Sequence, residues 1–99
     1  MFYVNQQFDF NEEVAIGTDL YTTFLGKQLI LKEVYRYYGP LTLQYLPYGG
    51  VQSVYDHQLI VNTKSGYIAT RNVVYDGEEM SSEEFIKAFP DIVNEVFPS

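Results

Sequence analysis

Short runs of β-branched and aromatic residues, each closed by Gly, Pro or a polar pair, recur through most of this chain. Leu20 to Leu25 is one such run, Gly26-Lys27 marks a turn, and Gln28 to Tyr38 is a longer stretch rich in Leu, Ile, Val and Tyr. Together they predict a β-hairpin. Within its second strand Leu29 and Leu31 share one face while Val34 falls on the other parity, which predicts a bulge near Lys32-Glu33. Gly39-Pro40 and Pro47-Tyr48-Gly49-Gly50 are the clearest punctuation, because Pro fixes φ and Gly supplies positive φ. The segment Leu41 to Leu46 between them reads as a short edge strand or an ordered loop. Asp56-His57 and Lys64-Ser65-Gly66 read as tight hairpin turns between apolar runs. Five or six short strands joined in this way predict a mainly β fold, a small open antiparallel barrel with a C-terminal helix.

That helix has the strongest local signal. Ser81 and Glu84 form a capping-box pattern, in which the serine hydroxyl accepts from the third helical N–H and the glutamate reaches back to the cap's own N–H. Met80 and Phe85 stand where a hydrophobic staple packs, and Glu83 and Glu84 place negative charge at the positive end of the helix dipole. Phe85, Ala88, Phe89, Ile92, Val93 and Val96 continue an apolar stripe. Pro90 removes an N–H and predicts a break there, followed by another turn or two across the barrel. At the other end Phe2, Val4, Phe8, Phe10, Val14 and Ile16 keep no strict period, which suggests a strand followed by an irregular turn over Met1 to Gly17.

Order and spacing of these pieces resemble the C-terminal domain of the methionyl-tRNA and sugar formyltransferases, a small open Greek-key β-barrel that follows their catalytic Rossmann-like domain. The matching residues are Gly26-Lys27-Gln28-Leu29-Ile30-Leu31, Gly50-Val51, Leu59-Ile60-Val61-Asn62-Thr63, Gly66, Gly77 and Met80-Ser81-Ser82-Glu83-Glu84-Phe85. They span roughly residues 20 to 90. The resemblance implies the barrel fold and no chemistry, since the family's catalytic Asn, His and Asp belong to the other domain, whose motifs this chain lacks. Where tRNA-acting members carry a basic loop before the helix, this chain has Asp76-Gly77-Glu78-Glu79-Met80, one residue shorter and opposite in sign.

Composition narrows the function further. The 99 residues make a single domain, and 46% apolar residues with ten Tyr and seven Phe supply a core. No Cys is present, so neither disulfides nor thiolate metal sites hold the fold, and the composition fits the cytoplasm. No targeting segment or membrane-length apolar run is visible. Thirteen Asp and Glu against six Lys and Arg give a net charge of −7, a field that repels phosphate backbones and argues against tRNA as a partner.

Candidate chemistry is sparse. His57, beside Asp56, reads as a solvated turn residue rather than a general base, and a metal site would need more converging ligands. The pairs Glu12-Glu13, Glu78-Glu79 and Glu83-Glu84 follow no calcium-loop spacing, and Gly49-Gly50 belongs to no phosphate-binding pattern. Neither an enzyme, a metal site nor a cofactor is expected. Tyr35, Arg36, Tyr37 and Tyr38, with Tyr45, Tyr48 and Tyr55 nearby in sequence, put aromatics on both faces of a strand end. Rings so placed either rim the barrel or form a contact surface, and Tyr and Arg are the residues that dominate interface hot spots. We therefore take Tyr35, Arg36, Tyr37, Tyr38 and Tyr48 as candidate contact residues. Two functions fit: a non-catalytic accessory module, which the resemblance implies would serve a sugar-type formyltransferase, acting through substrate positioning, a protein partner or self-association, with Met1 leaning towards a free-standing product, or a small barrel binding a carbohydrate or nucleoside on the tyrosines.

Overall fold

A computed structural model describes residues 8–42, 46–53 and 58–97. Among the described residues, eight antiparallel strands form two four-stranded sheets. The first sheet joins β1 (Leu20–Phe24), β2 (Lys27–Lys32), β7 (Asn72–Tyr75) and β8 (Glu78–Ser81) in the order β1-β2-β7-β8. The second joins β3 (Tyr35–Arg36), β4 (Val51–Ser53), β5 (Leu59–Thr63) and β6 (Gly66–Thr70) in the order β3-β6-β5-β4. In the second sheet β4, β5 and β6 are consecutive neighbours and β3 lies beside β6 across a long connection, which is Greek-key topology. The mainly β class is as the sequence predicts. The barrel is open, and among the described residues strand pairing does not run round to close it.

The two sheets keep a common register, although pairing lapses between them at Glu33-Val34, where Val34 bonds instead to Gly17 and Thr18. Leu29 pairs with Tyr75 and Lys32 with Asn72 in the first sheet, and Tyr35 pairs with Ala69 and Arg36 with Ile68 in the second. Each pair of residue numbers has the same sum, and the N–H of Tyr37 extends the series by donating to the carbonyl of Tyr67 (2.9 Å). The count is therefore the same on either side of the gap between β2–β7 and β3–β6. The bulge expected near Lys32-Glu33 is replaced by a paired kink: Glu33 turns through left-handed backbone (φ 47°) as the facing strand crosses between β6 and β7 at Arg71, and neither strand gains a residue on the other. A true bulge would set two residues against one and shift the pairing. Counted as continuous runs the strands number six, and the kink divides two of them to give eight.

Several contacts fix this kink. The Asp19 carboxylate accepts from the Glu33 N–H (2.9 Å) and pairs with the Lys32 ammonium (2.9 Å). The Thr70 hydroxyl lies 2.6 Å from the Lys32 carbonyl and 2.8 Å from that of Asn72, so it can donate to either. From the helix, the Ser82 N–H donates to the Arg71 carbonyl (2.8 Å) and the Ser82 hydroxyl to that of Thr70 (2.7 Å).

Two-residue turns close the hairpins of the first sheet. Leu25-Gly26 joins β1 to β2 and Asp76-Gly77 joins β7 to β8, all four residues at positive φ as type I′ turns require. Glu78 and Glu79 thus belong to β8 and not to a loop, because the tight turn leaves them paired with Tyr75 and Val74. The expected turn at Asp56-His57 lies outside the described residues, as do 43–45 of the segment Leu41 to Leu46 and the first seven residues. The described remainder of Leu41 to Leu46 holds no strand, and 8–16 is irregular as well.

Helix α1 (Ser82–Ala88) starts as predicted. Ser81 Oγ accepts from the Glu84 N–H (3.0 Å), and the Glu84 carboxylate accepts from the Ser81 N–H (3.0 Å). Phe85 is fully buried against β7 and β1, its ring 5.3 Å from that of Tyr75 and 5.9 Å from that of Phe24, and Met80 packs half-buried on the same core. After Phe89 the chain restarts as a single 3₁₀ turn at Pro90–Ile92 and turns again at Val93-Asn94, with Asn94 at φ 78° and the Glu95 N–H donating to the Ile92 carbonyl (3.0 Å). Val96 consequently leaves the helical stripe and is exposed, as is Ala88, while Phe97 turns inward and stacks on Phe10 at 5.7 Å. The core lies between the sheets, with Leu29, Leu31 and Val73 from one and Val51, Leu59, Val61 and Ile68 from the other.

Candidate functional site

Strand β3 and the residues after it carry four of the five candidate side chains, and the protein holds three of them. Alternation along an extended chain puts Tyr35 and Tyr37 on one face, Arg36 and Tyr38 on the other. Tyr35 is half-buried, with the Arg71 guanidinium 5.9 Å from its ring centroid in a cation–π arrangement. Arg36 reaches the β5–β6 turn, where Nη1 donates to the Ser65 carbonyl. Tyr37 folds back over Gly39, its hydroxyl donating to the Pro40 carbonyl (2.6 Å). A Cβ on Gly39 would lie 2.6 Å from that hydroxyl oxygen, so the glycine is what lets the ring lie down.

Tyr38 differs from its neighbours, with 86% of its surface exposed. The strand ends at Arg36, and the Tyr37 N–H then donates to the Tyr67 carbonyl (2.9 Å), so the ring follows a backbone tied to β6. Tyr48, 43% exposed, belongs elsewhere. It occupies the second position of a type II turn closed by the Gly50 N–H donating to the Pro47 carbonyl (2.9 Å), with Gly49 at φ 89° in the position that demands it. This turn leads into β4, at the opposite edge of the sheet from β3 and three strands away, roughly 14 Å measured along the sheet. The five residues thus do not converge on one shelf. Tyr45 and Tyr55 lie outside the described residues.

Gly49-Gly50 proves to be a packing device. The chain passes so close beneath the C-terminal segment that a Cβ on Gly49 would lie 2.7 Å from the Phe97 carbonyl oxygen, and one on Gly50 2.9 Å from that of Pro47. The Phe97 N–H donates to Gly49 (2.8 Å), the Asn94 N–H to Val51 (2.8 Å), and the Val51 N–H to Glu95 (2.8 Å), so the tail covers the free edge of β4.

Electrostatics single out one pair. The Asp19 carboxyl is held below its ordinary value, first by the Glu33 N–H and then by the Lys32 ammonium, and the Lys32 ammonium is held above its own, mainly by Asp19. These groups secure the kink. Among the described residues no three His, Cys, Asp or Glu side chains gather as a metal would need, and no helix is long and apolar enough to cross a membrane.

What composition and runs of aromatics did not reveal lies on the outer face of the first sheet. Register aligns Tyr21, Ile30, Val74 and Glu79 in one row across four strands. The alternation that would point these residues outward is present in each strand, but the row exists only once pairing is known. No family model, curated protein or solved structure matches the chain.

Proposed function

We propose that this protein is a non-catalytic interaction module, an accessory barrel similar to the C-terminal domain of the formyltransferases, working through protein contact at the end of β3. The observation that carries the reading is Tyr38, a large ring 86% exposed on a strand end whose neighbours Tyr35, Arg36 and Tyr37 are all engaged. An aromatic on a rigid base loses little conformational entropy on binding, which is what interface anchors have in common. The likeness rests on the residues that suggested it: Leu59–Thr63 is a strand of the second sheet, Gly26 and Gly77 sit in hairpin turns at positive φ, Gly66 opens β6 at positive φ, and Ser81 caps the helix.

Self-association is the simplest form of that contact. With a charge of −7 on each copy, added salt should strengthen it by screening, whereas an ionic partner would be weakened. Sedimentation equilibrium of the wild type should give a mass that rises with concentration and with salt, and Tyr38→Ala should return it towards the monomer. A wild type that stays monomeric at high concentration and high salt rules out self-association at Tyr38.

A further inference from the structure

The outer face of the first sheet presents a row that the described residues leave partly exposed. Tyr21 on β1 faces Ile30 on β2, which faces Val74 on β7, which faces Glu79 on β8. Tyr21 is 40% exposed, Ile30 and Val74 are partly exposed, and Glu79 is exposed. The flanking rows are polar: Asp19, Lys32, Asn72 and Ser81 on one side, Thr23 and Gln28 on the other. Strands lie about 4.8 Å apart, so the apolar part of the row spans about 10 Å perpendicular to the strands.

That geometry matches a helix laid across the sheet. Apolar residues at i, i+4 and i+7 cover about 10 Å of helix, close to the distance from Tyr21 to Val74 across the strands. The next position of the same stripe, i+11, would lie over β8. There the row ends on a negative charge, the exposed Glu79. Lys32, on a flanking row of the same face, pairs with Asp19 at 2.9 Å and is also drawn to Glu79, and Lys27 sits 3.6 Å from Asp76. A second copy of this chain fits this face less well, since the cations beside it, Lys32 and Lys27, already face Asp19 and Asp76 and leave none to meet the other copy's Glu79.

We propose that this face docks an amphipathic helix of a partner protein, with apolar residues at i, i+4 and i+7 over Tyr21, Ile30 and Val74 and a Lys or Arg at i+11 over Glu79. The surface is separate from Tyr38, so either can fail without the other.

A synthetic peptide of about 18 residues tests it, long enough to hold a helix, with Leu at the three apolar positions, Lys at the fourth and Ala and Gln elsewhere. Titrated into isotopically labelled full-length protein, it should produce saturable amide shifts centred on Tyr21, Ile30, Val74 and Glu79. Replacing the peptide's Lys by Glu, or its Leu residues by Gln, should weaken binding at least about tenfold, and Glu79→Lys should reverse the preference between the Lys and Glu peptides. Glu79 is exposed on an edge strand, so its reversal leaves the core intact. Should that variant fail to fold, Tyr21→Ala, expected to weaken the Lys peptide by a similar factor, takes its place. The proposal is overturned if the wild type gives no saturable shifts, if Lys and Glu peptides bind alike, if the shifts centre on Tyr38, or if the face proves to be a dimer contact released by Tyr21→Ala.

Discussion

Ser81, Phe85 and Gly49 show three kinds of work a single residue does here. The Ser81 hydroxyl satisfies an N–H at the start of α1 that has no helical partner, so Ser81→Ala should cost about 1 kcal/mol. Phe85 fills the centre of a cluster with Phe24, Tyr75 and Phe89, and Phe85→Ala should cost about 3–5 kcal/mol by opening a cavity under the helix. Denaturant midpoints of both variants at constant slope measure these losses. Gly49→Ala faces two obstacles, a φ of 89° and the Phe97 carbonyl at 2.7 Å, and should lose about 2 kcal/mol while exposing the tail to proteolysis first. Limited digestion would register that order. The first two roles were legible in the sequence because capping box and staple are local patterns. The third was not, since its cause sits 48 positions away at Phe97.

At the scale of elements, the kink between the sheets depends on an ionised group. Asp19 receives the Glu33 N–H at the one residue of that strand in left-handed backbone, and its carboxyl is held below the ordinary 3.8 by that hydrogen bond first and by Lys32 second. A depressed carboxylate contributes stability that is fully present above its unfolded value and is lost as pH falls through the lower folded one. Wild type and Asp19→Asn should therefore differ in stability at neutral pH and converge as pH drops below about 4, read as the gap between their thermal midpoints. The β1–β2 and β5–β6 hairpins, the parity switch at Val34 and the break at Pro90 were readable from alternation and turn residues, whereas the β7–β8 hairpin reads as a loop in the sequence alone. How the parity switch is made was not, because one strand read alone does not distinguish an inserted residue from a bend that its partner copies. The same blindness to pairing hid the row at Tyr21, Ile30 and Val74, and grouped Tyr48 with Tyr38 although opposite edges of a sheet carry them.

For the molecule as a whole, charge and ladder set the terms. At −7, and with Asp76, Glu78 and Glu79 on the hairpin ahead of the helix, binding to tRNA should be no tighter than roughly the 10⁻⁴ to 10⁻⁶ M of non-specific contact, and a salt-sensitive gel shift at low micromolar protein would contradict this. The matched β2–β3 and β6–β7 register has a consequence for how such a chain can change length. A residue deleted from one strand slips every pair beyond it and turns core side chains outward in the sheet on that side. Deletion of Glu33 alone should therefore unfold the protein, whereas deletion of Glu33 together with Arg71, the residue at the same rung, restores the count on both strands and should recover cooperative melting. Over generations, insertions and deletions in this ribbon would be inherited in matched pairs or not at all.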